Sequence, residues 1–313
     1  MPEKNAPRKG SLQYVPRKRA GKFLPKTNWK SINSGKSLKG FIAYKAGMTS
    51  VKVKDSTPNS MTKDQDIILP ATILECPQMK IYSVRFYKNG EVKKDVLTGN
   101  FDKELKKKLK PTKKQLENLD NVEDYDDVSV IVYSIPKKTN IKKSPDVTEI
   151  GLNGSVEEKL SFIKENLNKE ISISDLFEEG QLVDFRGTTK GKGFEGPVSR
   201  FGLKLKSIKS EKGQRRPGSL GPWHPARTTF RAAQAGQGGM HTRMEVNKKI
   251  ISISRGSKRE VKNIKNYGDI KSDYIIIYGS VLGPAKRQLL LTAPQRESKE
   301  QSKKSYELQE LKR

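Results

Sequence analysis

A chain of 313 residues with 33% apolar side chains has room for one or two domains and a modest core. Its 63 Lys and Arg stand against 35 Asp and Glu, a net charge of +28 spread along the sequence, and that excess goes far beyond what solubility requires. Nucleic acid is the first reading. A membrane surface fits less well, because the longest apolar run, Tyr274 to Tyr278, is far below spanning length and no basic amphipathic helix with a Trp or Leu face occurs. Met1 to Gly10 is basic but is followed by no apolar stretch, which argues against secretion. The single cysteine, Cys76, excludes an internal disulfide and a cysteine zinc site, so a reducing cytoplasm is expected.

Residues 1–40 hold eleven basic residues against one acid, Glu3, interleaved with four prolines. Such a stretch reads as an extended RNA-binding arm, with Tyr14, Phe23 and Trp29 as candidates for stacking on bases. From Gly40 short apolar runs follow, at Phe41 to Tyr44, Ile67 to Leu74 and Lys80 to Tyr87, where Tyr82, Val84 and Phe86 alternate with Ser83 and Arg85. Gly47 and Pro58-Asn59-Ser60 read as turns between them. Residues 41–100 are therefore the first part of a β-barrel.

The next segment, 101–179, reads as an α/β insertion. Phe101 to Leu109 and Lys113 to Leu119 suggest helices parted by Pro111, and Val128 to Tyr133 a strand. Ser155 to Leu167 reads as a helix whose Ser155 and Glu158 form a capping box. The acids from Asp120 to Asp127 read as a solvated turn rather than a metal site. Strand character returns in 180–186, and again in 248–293 at Lys249 to Ile253, Tyr274 to Tyr278 and Gln288 to Leu291. Short strands with no regularly interposed helices favour a barrel over a parallel sheet. The tail 294–313 is charged and expected to be frayed or weakly helical.

Residues 187–247 differ from all of this. They hold 11 of the 25 glycines and almost no periodic apolar face, and fifteen Lys or Arg between Arg186 and Lys249 face only Glu195, Glu211 and Glu245. Ordering each residue costs roughly 1–2 kcal/mol of backbone entropy, with little burial here to offset it. The segment therefore calls for an external polyanion. As a hairpin, each of its arms would reach at most on the order of 100 Å. In Gln214 to Arg227 three prolines and two glycines make a rigid irregular tip, and Trp223 at its centre, flanked by Arg215, Arg216 and Arg227, is placed to stack on RNA. The run from Arg227 to Asn247 offers amide and guanidinium donors to phosphates and 2′-hydroxyls.

Enzymatic signatures are thin. Gly187 to Lys192 is one residue short of a phosphate-binding loop, and Gly193 stands where a magnesium-binding hydroxyl is needed. Ser34-Gly35-Lys36-Ser37 lacks both the leading glycine and a preceding strand. His224 and His241 lie in no ligand or catalytic spacing, and Cys76 ends an apolar strand as a structural thiol would. No catalytic residue, metal or cofactor is expected. The rivals are an RNA-modifying or nucleotide-using enzyme with a basic docking arm, and a disordered RNA chaperone.

At these residues the chain resembles the universal L3 family of large-subunit ribosomal proteins, in its archaeal form. The likeness rests on Pro7-Arg-Lys-Gly-Ser-Leu12 with Pro16-Arg-Lys-Arg19, on Gly40-Phe-Ile-Ala-Tyr-Lys-Ala-Gly-Met-Thr49, and on Asp184-Phe-Arg-Gly-Thr-Thr-Lys-Gly-Lys-Gly193 with Gly196-Pro-Val198. It continues through Gly221-Pro-Trp-His-Pro-Ala226, Ala235-Gly-Gln237, His241, Arg243 and Asn247. The resemblance implies a mainly β fold: a six-stranded barrel of the translation-protein type with an α/β insertion, a basic N-terminal arm and a long extended finger, 187–247, threaded through ribosomal RNA toward the peptidyl-transferase centre. It implies a structural, non-enzymatic constituent of the cytoplasmic large subunit that acts in early assembly and translation. The expected partners are 23S rRNA and neighbouring large-subunit proteins, with no membrane and no homo-oligomer. In the family the counterpart of Trp223 lies at the finger tip, where changes affect aminoacyl-tRNA accommodation and antibiotic response.

The rRNA-binding residues expected on the two readings together are Arg8, Lys9, Arg17, Lys18 and Arg19 in the arm, and Lys190, Lys192, Arg200, Arg215, Arg216, Trp223, His224, Arg227, Arg231, Gln237, His241 and Arg243 in the finger. Two positions depart from the family pattern. Met240 stands where an aromatic is common, and Glu211 falls near a modifiable His of eukaryotic members, so that modification is not expected.

Overall fold

The computed structural model describes residues 7, 10–99, 101–109, 119, 122–209, 212–254 and 261–312. The chain divides into two compact units, Met1–Lys22 with Thr188–Thr242, and Phe23–Gly187 with Arg243–Arg313. The second is the β-rich body.

In chain order its strands are β1 (Gly40–Asp55), β2 (Asp66–Glu75), β3 (Met79–Lys88), β4 (Glu91–Leu97), β5 (Asp127–Ser134) and β6 (Val147–Gly151). Helices α1 (Val156–Asn166) and α2 (Ile173–Leu176) follow, then β7 (Leu182–Thr188). After the segment that forms the other unit, with β8 (Gly191–Glu195), α3 (Pro197–Phe201) and β9 (Gly236–Gly239), come β10 (Thr242–Ser254), β11 (Tyr274–Tyr278), β12 (Gln288–Thr292), α4 (Lys299–Lys303) and β13 (Tyr306–Lys312).

Seven strands pair in the order β12-β7-β10-β11-β2-β1-β13. Strand β1 also pairs β12, with Phe41 opposite Leu291 and Ala43 opposite Leu289, so the order returns from β1 to its first strand. The length of β1 makes this possible: its first half meets β12, and on its second half Val51 lies opposite Leu311 of β13. Four further strands form a separate antiparallel sheet, β4-β3-β5-β6. The run Lys80 to Tyr87, expected among the barrel strands, thus pairs β4 and β5, as its alternation allowed but could not specify.

One apolar cluster joins Phe41, Leu74, Phe185, Ile275 and Leu290 of the larger sheet to Ile81, Phe86 and Val130 of the smaller and to Ile163 of α1. A second holds Val51, Val53, Ile73 and Ile276, with Tyr306, Leu308 and Leu311 packed against it. Buried polar groups in the body are tied internally. The Glu75 carboxylate accepts from the amides of Lys271 (2.8 Å) and Ser272 (2.9 Å), from the Ser272 hydroxyl (3.1 Å) and from Tyr267 Oη. Tyr44 on β1 donates to Asp146 (2.6 Å) and lies 2.7 Å from Ser134 of β5, linking the two sheets. Buried Asp184 on β7 accepts from the amides of Asn247 (2.8 Å) and Gln295 (3.0 Å).

Several expectations hold. The mainly β class does, and so does α1 with Ser155 as cap and Glu158 completing the capping box. Described acids of the run ending at Asp127 pair with lysines: Asp124 with Lys88 and Lys93, and Asp127 with Lys159. Cys76 is buried, and desolvation pushes its thiol pKa well up, as suits an inert core group.

Other expectations need correction. Gly47 is not a turn; it lies inside β1 at a register shift, where a Cβ would stand 2.7 Å from Ile264. Of the Phe101 to Leu109 helix only a 3-10 turn, Lys103–Lys107, forms, anchored by buried Leu105. The Lys113 to Leu119 helix lies outside the described residues except for Leu119. The tail carries the short helix α4 (Lys299–Lys303), as its weakly helical alternative had it, but it is not frayed, because Tyr306, Leu308 and Leu311 give β13 an apolar edge that docks on β1. Trp29 does not face solvent either; it packs on the main cluster, against Gly40 and Gly151.

Candidate nucleic-acid interface

In the unit formed by the arm and the glycine-rich segment, β8 and β9 build a two-stranded ribbon with Gly191 opposite Gly239 and Phe194 opposite Gln237. Beyond β8, Pro197 opens the five-residue helix α3, and Gly202 ends it at φ 61°. The chain then runs without regular structure from Leu203 to Ala235 among the described residues.

Phe201 of α3, 5% exposed, is the anchor of this unit. Two guanidinium groups lie over its ring, Arg17 at 5.1 Å and Arg200 at 5.2 Å from the centroid. Both donate to main-chain carbonyls. Arg200 reaches Gln237 (3.1 Å), Gln234 (3.1 Å) and Arg17 (3.4 Å), while Arg17 reaches Ser11 (2.9 Å), Gly10 (3.4 Å) and Phe230 (3.5 Å). The arm is fastened at two further points: the Ala20 amide donates to Met240 (2.8 Å), and His241 Nδ1 lies 3.1 Å from the Lys18 carbonyl. A carbonyl only accepts, so that nitrogen carries the proton.

The expected site residues therefore separate. Arg17, Arg200, Gln237 and His241 make bonds within the unit, Gln237 turning its amide onto the carbonyls of Gly238 and Gly239. Lys18, Arg19, Lys190, Lys192, Arg215, Arg216, Trp223, His224, Arg227 and Arg231 are exposed, and Arg243 is half-buried. Arg8 and Lys9 lie outside the described residues.

Every residue from Gly218 to Arg231 is exposed. Trp223 is 81% accessible and Phe230 58%, whereas a large aromatic ring ordinarily seeks cover. Phe194 on β8, also 81% accessible, is an aromatic that sequence reasoning passed over, although its setting between Gly193 and Gly196 and two positions after Lys192 was visible.

The possible nucleotide loops are accounted for otherwise. Gly187 to Lys192 joins β7 to β8, strand to strand with no helix to receive a phosphate. Lys36 pairs with Glu178 at 2.8 Å, and Ser34 donates to the Pro294 carbonyl at 2.7 Å. Among the described residues no group of three or more His, Cys, Asp or Glu could hold a metal ion, and no helix is long and apolar enough to cross a membrane.

The sequence matches the family of ribosomal protein L3 over residues 1–313. The chain belongs to that family. Among its relatives, the large ribosomal subunit protein uL3 of Methanococcus vannielii is 42% identical over 304 residues, covering 92% of this chain and 91% of the relative. The proteins of the same name from Methanobrevibacter smithii (40% over 318 residues, 94% and 93%) and Methanocaldococcus jannaschii (40% over 304 residues, 92% and 90%) are similarly close. These relatives are named as ribosomal proteins, not as enzymes, and the archaeal resemblance read from the motifs holds.

Proposed function

We propose that this protein is a structural constituent of the cytoplasmic large ribosomal subunit. It binds 23S rRNA through its arm and its glycine-rich finger, directs the finger tip toward the peptidyl-transferase centre, and supports early assembly of the subunit beside neighbouring large-subunit proteins. It does this as a single copy and without catalysis of its own. The return of the strand order from β1 to β12 supports reading the six strands β12, β7, β10, β11, β2 and β1 as a closed barrel that carries the finger between β7 and β10.

The observation that carries the reading is the run 218–231, exposed throughout in a member of a ribosomal protein family, with Trp223 and Phe230 set among Arg227, Arg231 and His224. Aromatic faces stack on bases and guanidinium groups neutralise phosphates, so RNA supplies a counter-charge and the cover that the rings lack there. Sedimentation of cell extract on sucrose gradients at low and high salt tests it. Co-migration with large subunits that survives the high-salt wash is expected, whereas release into light fractions would reduce the protein to a peripheral factor and revive the enzyme alternative.

A further inference from the structure

We infer that the Phe194 face of the β8–β9 ribbon is a second RNA-docking site, separate from the Trp223 tip, in which a base or ribose packs on the Phe194 ring and the RNA backbone passes over Gly196. This deepens the functional reading above and rests on it.

Three observations meet there. Phe194 is as accessible as Trp223, 81%, yet it sits on a paired strand rather than an irregular loop, so its ring is held out by a hydrogen-bonded ribbon. Basic groups stand beside it: Lys190 is exposed, and the Lys192 side chain is 64% exposed with its ammonium 4.0 Å from Glu195. Glu195 follows Phe194 directly and so projects to the opposite face, where its carboxylate lies against Gly238 and 4.0 Å from the Lys192 ammonium, so the acid next to Phe194 in sequence turns away from its ring.

The third observation is a glycine that the folded chain does not explain. Glycine loses more conformational freedom on folding than any other residue, so one is expected where φ is positive or a neighbour crowds the Cβ position. Among the described glycines only Gly21, Gly196 and Gly218 have neither, with φ outside the left-handed region and nothing within 4 Å of an added Cβ. All three lie in the arm-and-finger unit, Gly21 directly before Lys22, and Gly196 and Gly218 two positions after Phe194 and Arg216. Gly196 has φ −70° and ψ 164°, a conformation any residue adopts. The space above it is therefore kept open for something outside the chain. The neighbouring Lys190 and Lys192 favour a polyanion, and an aromatic face next to close-approaching backbone selects nucleic acid over an acidic protein.

Gly196→Val and Phe194→Ala test this with tagged full-length chains expressed beside the wild type. Each variant is expected to keep the wild-type thermal midpoint as free protein, while its share in salt-washed large subunits falls about tenfold, as a loss of ~1.4 kcal/mol of binding would produce. Ultraviolet cross-linking of purified subunits is expected to leave nucleotide adducts on the peptide containing Phe194. Wild-type shares for both variants, a lowered midpoint for Gly196→Val, or cross-links from that peptide to protein alone would overturn the inference while leaving the functional reading intact. A wild-type chain that itself stays out of large subunits would overturn both.

Discussion

The body and the unit formed by the N-terminal and glycine-rich segments solve opposite problems with the same chain. In the body, large side chains such as Phe41, Phe185 and Tyr274 are covered, and the buried carboxylates of Glu75 and Asp184 meet donors from the chain itself. In the other unit, among the described residues, only Phe201 and its neighbours form a centre, and Phe194, Ile208, Trp223 and Phe230 face outward. On the proposed function, stability and binding are allotted to different residues. Substitutions in the body should read out in the free protein, and those at the exposed aromatics only in the assembled particle.

The sharpest way to break that comparison is to compare truncations in urea unfolding. Phe185→Ala, fully buried on β7, is expected to cost about 3–5 kcal/mol, the usual range for emptying an aromatic core site. A loss below ~1 kcal/mol would mean that the main cluster does not hold the body together. Arg200→Ala comes next. It removes three donors to carbonyls and a cover for Phe201, so about 1–2 kcal/mol is expected. The loss should be local, visible as faster amide exchange around Gln234 to Met240 with the body strands unchanged. If exchange there stays at the wild-type rate while RNA affinity drops, Arg200 is a phosphate ligand and not a fastener.

A smaller effect concerns acid. Burial of the Asp55 carboxylate raises its pKa, but the hydroxyls of Thr57, Thr62 and Ser60 and the Thr57 amide outweigh this and bring it from 3.8 down to about 2. A folded pKa below the unfolded one stabilises the fold above the unfolded value, and that contribution is lost as pH falls from about 4 toward 2. Asp55→Asn is expected to flatten the stability profile in that window and to leave its shape near neutrality unchanged. An identical acid limb in the variant would show that other carboxylates set it. Last, Trp223→Ala should change free-protein stability by less than ~0.5 kcal/mol while impairing large-subunit function. A loss of several kcal/mol would place that ring in a core.

How far the molecule could be read in advance depended on how local each cause was. Strand positions such as Lys249 to Ile253 and Tyr274 to Tyr278 were legible because alternation or a short apolar run is written in neighbouring residues. The capping box at Ser155 and Glu158 was legible for the same reason, its two hydrogen bonds spanning three residues. Strands β4 and β6 carried no comparable signal, being polar along much of their length and existing through pairing with β3 and β5. The β13 strand looked like a charged tail because its three apolar residues acquire meaning only beside the second cluster.

By itself the sequence determined a mainly β body, a basic glycine-rich segment that its own side chains cannot cover, an irregular run around Trp223 and the family. Those follow from composition, local periodicity and motif, which need no knowledge of distant partners. Only the tertiary structure decided which strand neighbours which, that β1 serves β12 and β13 along one edge, and that Arg17 and Arg200 turn inward onto Phe201 while Lys192 and Arg227 remain outside. An arginine in sequence is a charge with five donors, and whether those donors meet a carbonyl of the same chain or a phosphate of another molecule is fixed by what the fold brings within about 3 Å of it.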